Sequence, residues 1–279
     1  MQLELNVTPD YAKAGVPAPD KPAALSLYLL KAQADMPAQM EKPMVIICPG
    51  GGYRYKSVRE AEPIAMRFLA AGMHAAVLQY STEPSRYPTA VLELAWCVRQ
   101  CRENAAQWHI RPDAVYVAGF SAGGHVACTL STLWQEALFG RVLGDGASIR
   151  PDGQILSYPV VTMGEFAHAG SRENLLGADV PQEMIEALSL EKRVTADTAP
   201  AFIWHTVEDG SVPVENSMQY AMALRRSGVP FELHLYERGG HGLAACDATT
   251  ATKPEQIAPD NAGWFDLAIR FIRRRVQVM

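Results

Sequence analysis

The sequence has no excess of basic charge, no apolar run of membrane length, no cysteine framework and no nucleotide loop, and each absence closes a class of function. With 25 Lys and Arg against 30 Asp and Glu, the formal net charge is −5. That leaves no electrostatic footprint for nucleic acid or for an anionic membrane surface. The one basic cluster, Arg270, Arg273, Arg274 and Arg275, reads as a solvated helix end whose charge complements the helix dipole. No apolar stretch reaches the length needed to span a bilayer. Residues 1–7 carry no basic segment leading into an apolar core, so they do not read as a signal peptide, and a cytoplasmic location is the expectation. The cysteines, Cys48, Cys97, Cys101, Cys128 and Cys246, are odd in number and lack disulfide-framework spacing. Cys97 and Cys101 share one face of a predicted helix, but no further soft ligand stands at finger-like spacing, so buried free thiols are expected and no metal. There is no G-x-G-x-x-G and no lysine at P-loop spacing, and no cofactor is expected.

What is present is an alternation of strand-like and helix-like stretches over 279 residues, a length that fits one large α/β domain spanning 1–279. Residues 3–7 and 24–30 read as a first strand pair, with Pro17, Pro19 and Pro22 breaking the link. The apolar run 44–48 ends in Pro49-Gly50-Gly51-Gly52, a strand meeting a glycine loop. Helix 60–71 stops at Gly72, strand 74–80 follows, and 87–108 reads as one long helix with Pro88 in its first turn. Strands are expected again at 114–120, 153–158, 201–205 and 231–236, and helices at 214–227 and 261–275. Between them, 161–198 is polar and broken by Gly164, Gly170, Gly177 and Pro181, and reads as a small cap inserted over the sheet edge. Apolar runs of β-branched type between helices imply mostly parallel strands, eight in all, covered by helices on both faces.

The chemistry starts at Gly119-Phe120-Ser121-Ala122-Gly123. This G-x-S-x-G stands between the strand 114–120 and a helix from 124 to 133, the context of a nucleophile elbow. The pentapeptide alone also arises by chance; its flanks are what give it meaning. A serine hydroxyl needs a base, and the base needs an acid to fix its tautomer. His241, in Gly239-Gly240-His241-Gly242 just past strand 231–236, is the candidate base. His74, His205 and His234 lie in strands, His109 ends a helix, His168 is in the cap, and His125 follows the elbow but points away from a base position. Asp209, following the stretch 201–206 at the carboxyl end of a strand, is the candidate acid, with Glu208 as its neighbour and rival and a plain turn role as the alternative. The order Ser, Asp, His is that of the α/β-hydrolases. Backbone donors for a developing oxyanion are expected from Ala122, at the helix start, and from the loop Gly50-Gly51-Gly52, where absent side chains leave N–H groups free to face a bound acyl group.

Four segments together, Pro49-Gly-Gly-Gly-Tyr53, Gly119-Phe-Ser-Ala-Gly-Gly-His125, Asp209-Gly-Ser-Val-Pro213 and Gly239-Gly-His-Gly242, resemble the small carbohydrate esterase branch of the α/β-hydrolases, with its acetyl-xylan and feruloyl esterase-like members. Ser57-Val-Arg-Glu-Ala-Glu-Pro63 is similar to that branch as well, and the resemblance runs from about Met44 to the C-terminus. It implies Ser121 as nucleophile, His241 as base, Asp209 as acid, and Gly51, Gly52 and Ala122 as oxyanion donors. Pro49 departs from the His-Gly-Gly-Gly loop of related lipases, which argues against a lipase-type loop network and leaves the backbone donors untouched. The expected function is a metal-free serine esterase acting through an acyl-enzyme on short acyl esters, above all O-acetyl groups of sugars or xylo-oligosaccharides. The expected partner is that small-molecule ester alone; a homodimer stays open. Tyr53, Tyr55, Arg59 and Glu62 follow the glycine loop, and Tyr53 and Glu62 are the expected substrate contacts, with packing or a surface ion pair as the alternative for each. Two other readings compete. A serine peptidase of the prolyl-oligopeptidase kind has a similar core, but there is no room here for its propeller domain. A ligand-binding protein on a hydrolase scaffold usually loses a triad member, and here all three are present.

Overall fold

The computed structural model describes residues 1–32, 35 and 40–276. β1 (Gln2–Val7) and β2 (Ala23–Tyr28) form the expected N-terminal pair, which is antiparallel and joined through a short helix α1 (Tyr11–Ala14). β3 (Lys42–Cys48) runs into the glycine loop, and α2 (Glu62–Ala70) leads to β4 (His74–Gln79). The expected single helix 87–108 is two helices, α3 (Thr89–Glu103) and α4 (Ala105–Trp108). The chain leaves helical geometry at Asn104 and ends at His109 with φ 55°, a left-handed turn that redirects it into the sheet. β5 (Ile110–Phe120), α5 (Ala122–Leu133), α6 (Ala137–Leu143) and β6 (Gly153–Ser157) follow. α7 (Ala169–Leu176) and α8 (Gln182–Ala187) occupy the expected cap, and β7 (Ala201–Thr206), α9 (Glu215–Arg226), β8 (Phe231–Tyr236) and α10 (Trp264–Arg275) complete the chain.

The strands form one eight-stranded sheet in the order β1-β2-β4-β3-β5-β6-β7-β8, antiparallel at β1/β2 and β2/β4 and parallel from β4 onward. β3 shows why the sheet needs helices on both faces. Met44 and Ile46 belong to one core cluster, with Leu94 of α3 and Val126 and Leu130 of α5. Val45 and Ile47 belong to the other, with Phe68 of α2 and Phe271 of α10. Successive strand side chains point to opposite faces, so a strand apolar at every position is stable only when both faces are covered. Cys97 and Cys101 lie on the buried stripe of α3 as free thiols. The basic end of α10 is tied down locally: Arg274 pairs with Glu232 of β8, Arg273 donates to the Ala71 carbonyl, and Arg275 lies 3.6 Å above the Phe271 ring.

Chain order creates the site. After β3 the chain steps to β4 on one side, whereas β5 to β8 are laid down on the other. The loops leaving β3 and β5 therefore diverge and open a crevice at the carboxyl ends of the strands, where open α/β sheets bind ligands. Among the described residues, no helix is long and apolar enough to cross a membrane.

Candidate active site

Ser121 sits alone between β5 and α5 with φ 52° and ψ −119°, a backbone state that costs a non-glycine residue about 1–3 kcal/mol. Two flanking glycines make the turn feasible. A Cβ on Gly119 would stand 2.3 Å from the Gly123 carbonyl oxygen, and one on Gly123 would stand 2.0 Å from that of Cys48. Any side chain there would force helix and strand apart. The serine is pinned at both ends of its peptide unit, its N–H donating to Ser157 and its carbonyl accepting from Val160.

The loop after β8 brings His241 Nε2 to 2.8 Å from Ser121 Oγ, and His241 Nδ1 stands 2.7 Å from Asp209 Oδ2. A carboxylate only accepts, so Nδ1 carries the proton and Nε2 is free to take one from the serine. The edge of the Tyr158 ring meets the imidazole, with centroids 5.0 Å apart. Asp209 is 6% exposed. Its Oδ1 accepts from the amides of Ser211 and Val212, at 2.9 and 3.0 Å. Burial alone would raise its carboxyl; hydrogen bonds from His205, His241 and the Val212 amide outweigh that and hold it well below the usual carboxylate range. Glu208, its rival, instead accepts from the Gly239 amide at 3.0 Å and braces the histidine loop.

The sequence alone marks His205 as a strand residue only. Its Nε2 lies 3.2 Å from Asp209 Oδ2 and 3.1 Å from the Val212 carbonyl, and Ser217 Oγ is 2.7 Å from Nδ1. Nε2 faces two acceptors, so it donates, and Nδ1 accepts from the serine hydroxyl. The carboxylate thus stands between two imidazoles. The available signal was a histidine closing the apolar run Ala201–Trp204 at a fully buried position, since a buried polar group needs partners.

The amide of Ala122 opens the 12-residue α5, and those of Gly51 and Gly52 border the same cleft; none of the three has a backbone acceptor outside regular elements among the described residues. Gly51 has φ 131°, and a Cβ there would lie 2.1 Å from the Tyr55 carbonyl oxygen. The Gly50 amide is already used, donating at 2.8 Å to Glu60 Oε2. Glu60 Oε1 accepts from Tyr158 Oη at 2.7 Å, and that hydroxyl accepts from the Ala244 amide at 2.9 Å. One buried carboxylate therefore straps the glycine loop to the loop that carries His241.

The two expected substrate contacts lie elsewhere. Tyr53 is 3% exposed, and its hydroxyl is 2.8 Å from Nδ1 of buried His125, so it props the glycine loop from beneath. Glu62 is exposed at the head of α2, accepting from Tyr28 at 3.3 Å. The cleft, about 450 Å³, is lined instead by Tyr55, Arg59, Glu60, His168, Asn174 and Gln256 beside Ser121, His241 and the glycines. His168 and Asn174 come from the cap, and Asn174 clamps the loop by donating to the Gly52 carbonyl at 2.8 Å. Among the described residues, no group of three His, Cys, Asp or Glu side chains is placed to hold a metal ion.

The chain is 39% identical over 212 residues to endo-1,4-beta-xylanase B of Butyrivibrio fibrisolvens, which covers 75% of this chain and 33% of that protein. It is 30% identical over 226 residues to an acetylxylan esterase of Xylanibacter ruminicola, 79% of this chain and 44% of that protein. The chain thus spans a third to less than half of the length of these two relatives. The crystal structure of an acetyl ester-xyloside bifunctional hydrolase from Caldicellulosiruptor lactoaceticus superposes with a TM-score of 0.82 at 32% identity, covering 98% of this chain and 96% of that one. The BD-FAE family model matches residues 30–224, a span that takes in the glycine loop, the elbow, the cap and Asp209. The chain belongs to the BD-FAE family of α/β-hydrolase esterases.

Proposed function

We propose that the protein is a serine carboxylesterase that removes short acyl groups, acetyl above all, from sugars or xylo-oligosaccharides through an acyl-enzyme on Ser121. The observation that carries this reading is the unbroken contact chain from Ser121 Oγ through His241 to Asp209, at 2.8 and 2.7 Å. Oγ attacks the ester carbonyl as its proton passes to His241 Nε2, and Asp209 stabilises the imidazolium. The amides of Ala122, Gly51 and Gly52 receive the developing oxyanion, each donor contributing roughly 3 kcal/mol to the transition state. His241 then returns the proton to the leaving alcohol, and a water, activated the same way, releases the acyl group. The sugar assignment is supported by the polar cleft wall and by the relatives named for acetylxylan and acetyl-xyloside hydrolysis.

The test is a panel of acetylated and feruloylated xylo-oligosaccharides, 4-nitrophenyl acetate and peptide anilides, run on the wild type and on Ser121→Ala. Acetylated sugars are expected to have the highest kcat/KM of the panel, and Ser121→Ala is expected to keep the native circular dichroism spectrum and lose hydrolysis. Turnover retained by that variant would remove Ser121 as nucleophile. Preferential cleavage of anilides would make the protein a peptidase.

A further inference from the structure

The mechanism leaves one charged group in the cleft unused. Arg59 belongs to the 3-10 turn Val58–Glu60 that follows the glycine loop, and it lines the cleft together with Ser121 and His241. Its orientation is set by the protein. Nε donates to the Thr250 carbonyl, and Nη1 would stand 3.8 Å from a Cβ built on Gly242, the residue after the catalytic base. Nη2 is buried and has no acceptor.

Among the described residues no carboxylate forms an ion pair with this cation, although Glu60 lines the same cleft. Arg67, Arg102 and Arg274 each pair with an acid, at Asp247, Asp152 and Glu232. Among the described residues, Arg59 has no such pair. The acids nearby are oriented towards other partners: the Glu60 oxygens accept from the Gly50 N–H and the Tyr158 O–H, and Asp209 accepts from two amides and two imidazoles. Arg54, the other cleft arginine, pairs with Glu83 at 3.4 Å. A partly desolvated guanidinium without an ion-pair partner is costly; with Nε on the Thr250 carbonyl and Nη2 buried, Nη1 is the donor left to give a carboxylate one charge-assisted hydrogen bond. The group stands beside the His241 loop. His241 hands its proton to the departing alcohol, so this is the leaving-group side of the scissile bond.

We propose that Arg59 is a carboxylate-recognition point in the catalytic cleft, and that it favours sugar esters whose alcohol part carries a carboxylate, as in uronic acids, over neutral ones. The assignment to the alcohol side rests on the serine-esterase reading above; the carboxylate site itself does not.

The experiment compares methyl glucuronoside with methyl glucoside, which differ in a carboxylate against a hydroxymethyl group. Each is tested as a competitive inhibitor of 4-nitrophenyl acetate hydrolysis and, by calorimetric titration, as a ligand of Ser121→Ala. The acid is expected to bind on the order of tenfold tighter than the neutral sugar, as for one charge-assisted contact. The ratio is expected to shrink with added salt and to fall towards one in Arg59→Gln. A ratio near one in the wild type, binding by neither sugar, or a ratio retained in Arg59→Gln would overturn the proposal. Should Arg59→Gln not fold, the wild-type ratio and its salt dependence decide alone. Calorimetry on Ser121→Ala needs no turnover, so a failed esterase reading and a failed recognition site give separate results.

Discussion

Asp209 holds more hydrogen bonds than are needed to orient one histidine. Two amides take Oδ1, and two imidazoles share Oδ2. The donors fix the rotamer of the carboxylate and keep it ionised despite burial. Asp209→Asn presents an amide to His241 Nδ1 and permits the wrong tautomer, so kcat is expected to fall by about 10⁴-fold. Glu208→Gln changes only the brace on Gly239, and steady-state kinetics are expected to differ from wild type by no more than a few-fold; a loss comparable to that of Asp209→Asn would transfer the acid role. His205→Phe removes one donor to a charged acceptor, an interaction of about 1.5–3 kcal/mol. Because that donor acts on the triad and does not border the cleft, the expected loss of about ten- to a hundredfold should appear in kcat, with KM unchanged. A rise in KM alone would mean that His205 merely supports the pocket wall.

At the scale of elements, three pieces of chain meet on His125. Its Nε2 faces the Leu188 carbonyl just after α8 of the cap at 3.0 Å, and its Nδ1 accepts from Tyr53 beneath the glycine loop, so α5 clamps both to the sheet. Burial lowers the His125 imidazole from 6.5 to about 4, partly opposed by the bond to Leu188. His74 is likewise lowered to about 4 by burial, against its bond to the His109 carbonyl. Both stay neutral in the fold at pH values where the unfolded chain binds protons. Their stabilising contribution is therefore complete above pH 6.5 and is lost as pH falls towards 4, at up to about 1.4 kcal/mol per pH unit for each. Urea unfolding at a series of pH values should show this slope, and His125→Gln, which keeps a donor and an acceptor, should lessen it by one histidine's share. An unchanged slope would show that His125 titrates freely in the native state. This junction was not legible in the sequence. Glu60 and Glu62 are two residues apart, and which one turns inward depends on the backbone at Ala61, φ −106° and ψ −110°, where the 3-10 turn hands over to α2. Tyr53 follows three glycines, and its inward turn, at φ 59°, follows from the loop's path rather than from its residue type.

For the molecule as a whole, the legible part is what repeats or sits at strand ends. Runs apolar at every position imply a sheet covered twice, and the segments after β3, β5, β7 and β8 carry the glycine loop, Ser121, Asp209 and His241. Parallel strands bring all four to one rim, so residues 120 positions apart, such as Ser121 and His241, become neighbours. What pairs across the rim, such as His205 with Asp209, depends on side-chain direction at the turns and is invisible to pattern. The same doubly covered sheet sets how the molecule should open. Cys48 is on β3, Cys97 and Cys101 are on α3, Cys128 is on α5, and Cys246 is in the loop after His241; all five are buried, and burial raises every one of these thiols, with Cys101, Cys128 and Cys246 pushed up to about 12. A thiolate reagent at mildly alkaline pH can reach them only through an opening of the structure. The native protein is expected to show no reactive thiol over the time in which urea-unfolded protein shows five, and thiol release should coincide with loss of the far-ultraviolet circular dichroism signal across a urea series. Release of a single thiol ahead of that transition, mapped by mass spectrometry to Cys246, would mean that the loop bearing His241 opens independently of the sheet that positions it.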